Sequence, residues 1–482
     1  MNELIAPVLS LAIAIPFAAA LWVWKTEQIA RARSITASAL ALSMLLSAEG
    51  LREVLRARGV LLHERWISRL FASMPDVLAV DGLSAALMVL FPALALVCVI
   101  AAPRRDSDKR FLLSTLVIGG ATLTTYSTHN LAIFFAGWLV SVLPFLIPGG
   151  QAVWPEISRT TMLASLWALA LAAFVSCATA MGAGIADPLS FAALAQSNRG
   201  VTVLGGLLLA AVLRTGVFPG HRGVAASMAG GGLLLSTLLM NSHQGLYVLA
   251  RLVLPAFRAH SGDLMDWLCI AALFSSLYVA VLGLAEKRPE GLLATVFISQ
   301  ASGLFAGLTT GTAEGVTGAL LQWVVLAVCS TVMMVVYRCL YARTDGMVGR
   351  SESGTRGFLG LASRTPRFAV IFAISALALA GMPGTLGFSG EDLLMHGALA
   401  AHGWLGAILP VAIALNAYHV FRLFARLFMG EPVPALREVR DGLPRERWML
   451  FASILVLVWL GLFPSHAVQL RQQGTRTILG ER

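Results

Sequence analysis

Runs of roughly 20 apolar residues, separated by short polar stretches, repeat along the whole chain. About fourteen can be counted, near 4–24, 34–50, 81–103, 111–127, 130–148, 159–183, 201–218, 227–256, 263–285, 291–309, 313–341, 368–389, 392–429 and 447–465. Runs of this length and pattern predict an all-α polytopic membrane protein with about fourteen transmembrane helices. The longest polar loops, 52–80 and 342–367, leave no room for a soluble domain. Two runs are broken internally. One reads LRTGVFPGHRG, with Pro219 and Gly220 just after Arg214. The other follows the uncharged stretch Phe368 to Gly381 and reads GMPGTLGFSGED. Pro383 removes a backbone donor and Gly384 frees the chain to turn. Ser389 and Asp392 fit a capping box restarting a helix, with Glu391 in its first turn. Carboxylates beside a mid-membrane helix break are expensive, so they usually mark an ion or substrate path. Paired broken helices predict an internal repeat. The expected division is residues 1–110 as three N-terminal helices, 111–256 and 257–430 as two inverted five-helix units, and 431–482 as a C-terminal helix and tail.

Composition agrees: 57% of residues are hydrophobic and 12% charged, against roughly 25% charged in soluble proteins. Glu3 precedes the first apolar run, and Lys25, Arg31 and Arg33 follow it. A cleaved signal carries its positive charge first, so the first helix is read as retained, with the N-terminus outside. Loops then placed inside hold Arg104, Arg105, Lys109, Arg110, Lys287, Arg288, Arg343, Arg350, Arg356, Arg364, Arg367, Arg437, Arg440, Arg445 and Arg447. One outer loop breaks the pattern with Arg52, Arg56, Arg58, Arg65 and Arg69. These loops account for the net charge of +10, so nucleic acid is not implied. Cys98, Cys177, Cys269, Cys329 and Cys339 lie in apolar segments without metal-ligand spacing and read as small core residues. No Gly-rich phosphate loop, metal cluster or nucleophile–base pair is visible, so neither cofactor nor metal is expected.

Several segments together resemble the antiporter-like membrane family. That family includes proton-pumping membrane subunits of respiratory complex I, large subunits of multisubunit cation/proton antiporters, and the membrane subunit of inorganic-carbon uptake systems. VDGLSAALMVL at 80–90 is similar to its third helix and NLAIFFAGW at 130–138 to its fifth. LRTGVFPGH at 213–221, GLYVLARL at 245–252 and ATVFISQASG at 294–303 resemble its seventh, eighth and tenth. GMPGTLGFSGED and NAYHVFRLFARLFMGE at 416–431 resemble its twelfth and thirteenth. The likeness is greatest to the medium-length complex I type.

The resemblance implies proton movement through buried Lys, Glu and His residues, and this chain departs from that pattern. Leu139 stands where the family has its fifth-helix Glu, Arg214 at the helix-7 Lys, Thr237 at an eighth-helix His and Gln322 at the eleventh-helix Lys. HRGVAASMAGGG at 221–232 replaces the usual WLPDA and PTPVS sequences. Only the twelfth-helix carboxylate persists, as Glu391. Arg214 stays protonated, so it is either a fixed charge paired with a partner subunit's carboxylate or the broken helix ends, or part of the path. His243, beside Asn241 and Ser242, is either a core histidine or a substitute relay. Asp392 and His396 are four apart and can pair on one turn. His419, Arg422 and Arg426 share a helix face, the arginines either snorkelling to the surface or extending a polar axis towards Glu391. The expected function is a non-redox, ion-translocating subunit of a multisubunit complex in the cell's inner membrane, resembling NADH-quinone oxidoreductase membrane subunits, with a degenerate proton path. A non-conducting docking subunit and a subunit energising inorganic-carbon uptake are the alternatives. The partners implied are other membrane subunits, the bilayer, and a hydrophilic redox or zinc-containing module.

Overall fold

The computed structural model describes residues 3–4, 6–70, 77–146, 155–197, 201–229, 233–257, 262–349, 358–436 and 438–480. Helices track the apolar runs. They are α1 (Val8–Lys25), α2 (Ile29–Arg56), α3 (Ser84–Ala101), α4 (Lys109–Tyr126), α5 (Leu131–Leu146) and α6 (Glu156–Gly182). Then come α7, in halves Val201–Thr215 and His221–Ala229, and α8, in pieces Leu233–Ser242, Gln244–Val248, Leu249–Val253 and Leu254–Phe257. The rest are α9 (Gly262–Ala285), α10 (Pro289–Thr309), α11 (Ala313–Arg343), α12 in halves Pro366–Leu379 and Leu386–His402, α13 (Ile408–Phe428), α14 (Pro444–Leu462) and α15 (Pro464–Leu479). Among the described residues, eight helical stretches are long and apolar enough to cross a membrane, and the α14–α15 pair, bent by 90°, makes a ninth. Much of the remainder is short because α7, α8 and the first half of α12 are interrupted. The chain is a multi-pass membrane protein.

Local chemistry explains the helix starts. Asp108 accepts from Phe111 N (2.7 Å) ahead of α4, and Thr312 accepts from Gly315 N (3.1 Å) ahead of α11. Proline opens α10, both α12 and α14, and α15, where its missing donor costs nothing. α10 and α11 are almost wholly buried at the centre, whereas α6 shows Trp167 and Phe174 outward, as a lipid-facing helix does.

The bundle has two different ends. One is tied by Arg338 to Asp106 through two hydrogen bonds (2.7 and 2.6 Å) and by Arg343 to Glu446. The other carries a three-stranded sheet that the hydrophobic pattern does not announce: Glu3–Leu4, Leu62–Glu64 and Ala79–Val80. Amphipathic α15 folds back over this end, where Thr475 bonds Thr317 (2.9 Å) and Arg471 is buried.

The break in α12 is not the capping box expected from Ser389 and Asp392. The helix stops at Leu379 and restarts at Leu386, after Gly381 and Gly384 take left-handed φ values of 68° and 89°. Thr385 is extended and its hydroxyl donates to Met382 O (2.7 Å). Ser389, Glu391 and Asp392 therefore sit inside the second half-helix and cap nothing. The reason is close packing: a methyl group at Gly387 would fall 1.8 Å from Ala378 O, so the second half starts directly across the end of the first.

Candidate functional site: a polar axis between two broken helices

The site begins at α5. Trp138 and Ser141, three residues apart, share a helix face. Arg214, at the end of the first half of α7, lies against that face. Its Nη2 donates to Ser141 Oγ (2.6 Å) and to Gln244 Oε1 (2.7 Å), and its guanidinium stacks over Trp138 at 4.7 Å. Among the described residues, Nη1 reaches only Met162 Sδ at 3.7 Å, and Nε has no partner. Arg214 is buried inside the chain, so it is not available to a partner subunit's carboxylate, and its contacts are helix side chains rather than the broken helix ends. None of these partners is an anion. Gln244 also donates from Nε2 to Thr122 Oγ1 (3.3 Å).

His243 precedes Gln244 and is not in a helix interior as expected. It breaks α8, with φ 42° and ψ 41°. That backbone is unusual for a non-glycine residue and is the kind of strain that clusters at functional sites. Its ring stacks on Trp323 (5.7 Å between centroids), and both His243 Nδ1 and Trp323 Nε1 are buried without a partner among the described residues. The side chains of Asn241 and Ser242 lie outside the described residues.

Trp323 follows Gln322, and here the second half of the axis starts. Gln322 Nε2 donates to Glu391 Oε1 (3.1 Å), and Gln300 Nε2 of α10 donates to Leu379 O (3.3 Å), where the first half of α12 ends. The other carboxyl oxygen presses on the break: a methyl group at Gly381 would fall 2.1 Å from Glu391 Oε2. Glu391 is buried, and its hydrogen-bond partner is an amide, not a cation. An amide can donate to a carboxylate or accept from a carboxylic acid, so this partner holds either protonation state.

From Glu391 the polar groups continue along α10 and α13. Ser299, next to Gln300, accepts from Asn416 Nδ2 (2.8 Å) and donates to Ser276 O (2.8 Å). One turn beyond Asn416, His419 is fully buried and its Nε2 donates to Ala280 O (2.8 Å). Arg422 Nη2 then donates to Gly283 O (2.8 Å), and Arg426 Nη1 to Lys287 O (2.7 Å). These arginines cap the C-terminal end of α9. The α13 stripe thus runs from the neighbourhood of Glu391 to the bundle end that carries Glu286 and Lys287.

Asp392 and His396 do not join this axis. His396 Nδ1 donates to Asp392 O (2.8 Å) and lies 3.5 Å from Asp392 Oδ1, but their side chains are 63% and 46% exposed, His396 the more so. They pair, as expected, on the outside of the bundle.

Two groups escaped the sequence reading. Asp81 and Arg251 form a buried ion pair (2.6 Å) joining the start of α3 to α8. Asp81 also accepts from Leu83 N, Ser84 N and Ser84 Oγ (3.1 Å each). Both residues lie in the quoted family-like segments, but only folding brings those segments together. Beside them, burial and the Arg251 charge hold the His129 imidazole below its ordinary range. The other group is Ser299, Gln300 and Ser302 of α10. Ser302 bonds Ser275 (3.2 Å), which accepts from Phe218 N (2.9 Å) at the α7 break. One α10 turn is therefore linked to both broken regions, through Gln300 to Leu379 O and through Ser275 of α9 to Phe218.

Two interrupted helices joined by a buried polar axis define an antiporter-like membrane subunit. Residues 128–415 match the family described as NADH:quinone oxidoreductase/Mrp antiporter, transmembrane, and the chain belongs to that family. Among curated relatives, NADH-quinone oxidoreductase subunit 13 of Thermus thermophilus is 26% identical over 403 residues, covering 80% of this chain and 81% of the relative. Subunit M of Rhodobacter capsulatus is 25% identical over 419 residues, covering 80% and 79%. Among solved structures, a chain of respiratory complex I from Thermus thermophilus superposes with a TM-score of 0.83 at 22% identity, covering 98% of this chain and 99% of that one. A chain of the Mrp complex from Dietzia sp. DQ12-45-1b gives 0.81 at 18% identity, covering 98% and 97%.

Proposed function

We propose that this chain is a proton-translocating, antiporter-like membrane subunit of a multisubunit complex, in which Glu391 is the protonatable station and Arg214 a fixed charge. Membership of the family supports the class. The observation carrying the assignment to Glu391 is its setting: a buried carboxyl group at the α12 break, hydrogen-bonded by the Gln322 amide, compatible with gaining and losing a proton. Asn416, His419 and Arg422 continue from it to one bundle end. The division into units 111–256 and 257–430 is part of the reading, since each has a broken helix, α7 in the first and α12 in the second, and a buried charge-bearing group beside it, Arg214 and Glu391. The chain is placed in the cell's inner membrane with the N-terminus outside, beside other membrane subunits and a hydrophilic redox or zinc-containing module. In the assembled complex, Glu391→Gln should abolish coupled proton transport while the subunit still assembles. The measurement is proton uptake into vesicles alongside subunit content, and undiminished transport would remove Glu391 from the mechanism.

A second reading, a docking subunit that does not conduct, is favoured by one observation: the first unit holds Arg214 among neutral partners with no carboxylate to modulate it. Reconstituted chain that dissipates an imposed proton gradient, with the leak lost in Glu391→Gln, would eliminate it.

A further inference from the structure

The first half of α12 and α14 both begin with proline at the bundle end tied by Arg338–Asp106 and Arg343–Glu446, and they pack side by side. Between them opens a groove of about 590 Å³ on the outer face of the bundle. Its mouth is cationic, with Arg367 and Arg447, and its walls are apolar, with Val370, Ile371, Trp448 and Phe451. The walls are open to the surroundings: Val370 is 56% exposed, Trp448 62% and Phe451 45%. The nearest acid, Asp441, accepts from Arg367 N (3.2 Å) and Gly442 N (2.7 Å), and its carboxylate lies 4.0 Å from Arg367 Nε. Glu446 is engaged by Arg343 and Leu443 N. Arg447 Nε is shielded from solvent and has no partner among the described residues. The mouth therefore keeps net positive charge, and two helix N-termini add their dipoles to it.

We propose that this groove binds an anionic phospholipid. The phosphodiester sits between Arg367 and Arg447 at the two helix starts, and one acyl chain runs along Val370, Ile371, Trp448 and Phe451. A cationic mouth opening onto an exposed apolar wall matches an amphiphile whose charge and chain are joined, and basic pockets between membrane helices take such headgroups. A free anion would use only the mouth. A partner's apolar helix would cover the walls and leave the arginines unpaired.

The test uses the full chain, delipidated in detergent and titrated with dioleoylphosphatidylglycerol or dioleoylphosphatidylcholine, with bound lipid counted by native mass spectrometry. Two variants are compared: Arg367→Gln/Arg447→Gln, which removes the charge, and Val370→Trp, which fills the groove and leaves the charge. Both must elute as monodisperse helical protein. Phosphatidylglycerol retention should fall about tenfold or more in the double variant, while phosphatidylcholine retention changes less than about twofold. Val370→Trp should lower phosphatidylglycerol retention as well, and inorganic phosphate should not displace the lipid. Equal retention in wild type and both variants overturns the proposal. So does displacement by phosphate, which would make this an anion site only, or a photo-crosslinker at position 370 that captures protein rather than lipid in native membranes.

Discussion

Arg214 is a buried cation among neutral neighbours. A buried guanidinium normally answers a carboxylate, yet its partners are a hydroxyl, an amide oxygen, a thioether and an indole face. Arg251, also buried, has the usual answer in Asp81. The two should respond differently to loss of charge. Arg251→Met strands a buried carboxylate and should destabilise by about 3–5 kcal/mol. Arg214→Met strands no ion, leaves Ser141 and Gln244 able to pair with each other, and should cost less than about 2 kcal/mol. Denaturant or thermal melts of the purified variants check the order, and equal losses would mean Arg214 answers an anion. The sequence shows Leu139 beside Trp138 and so no carboxylate there for Arg214. What Arg214 touches instead is not legible, because Ser141 and Gln244 are far apart in sequence and ordinary in composition.

At the scale of elements, the α11–α12 seam decides whether Glu391 meets Gln322. The two helices approach to backbone contact: a methyl group at Gly318 would fall 2.3 Å from Leu394 N. That closeness sets the 3.1 Å hydrogen bond between Gln322 and Glu391. Gly318→Leu should therefore push the second half of α12 outward. It should cost about 1–3 kcal/mol by overpacking and impair transport as Glu391→Gln does, although no titratable group has changed. Paired melting and transport measurements test this, and wild-type transport in a destabilised Gly318→Leu protein would show the contact to be dispensable. That α12 breaks was readable from Pro383 and Gly384. Where it restarts was not: Ser389–Asp392 has the capping pattern, but Gly387 lets helix form earlier by fitting against Ala378 O.

For the whole molecule, orientation follows from the distribution of charge. The end bearing Arg104, Arg105, Lys287, Arg343 and Arg367 is the one expected inside. In a Cys177→Ser background, a cysteine at Glu314, at the start of α11, should react with a membrane-impermeant maleimide in intact cells. One at Glu27, between α1 and α2, should react only after lysis. Both side chains are exposed at opposite ends of the bundle, so the reverse pattern would invert the topology. The same asymmetry puts the lipid groove on the positive end, where anionic headgroups are attracted most strongly. The arginines at 52, 56 and 58, which run against the charge rule, belong to the opposite end; Arg52 and Arg56 pair with Glu49 and Glu53 there.

Sequence by itself determined that this chain lives in a membrane and that its helices break near Pro219 and Pro383. These follow from hydropathy and backbone chemistry, which act over a few turns. Tertiary structure alone decided that Gln322 meets Glu391, that Asp81 meets Arg251, that His243 sits at a kink against Trp323, and that Asp392 and His396 face outward. A side chain's burial and partners depend on which helices lie against it, and in a chain apolar almost everywhere no local pattern says which those will be.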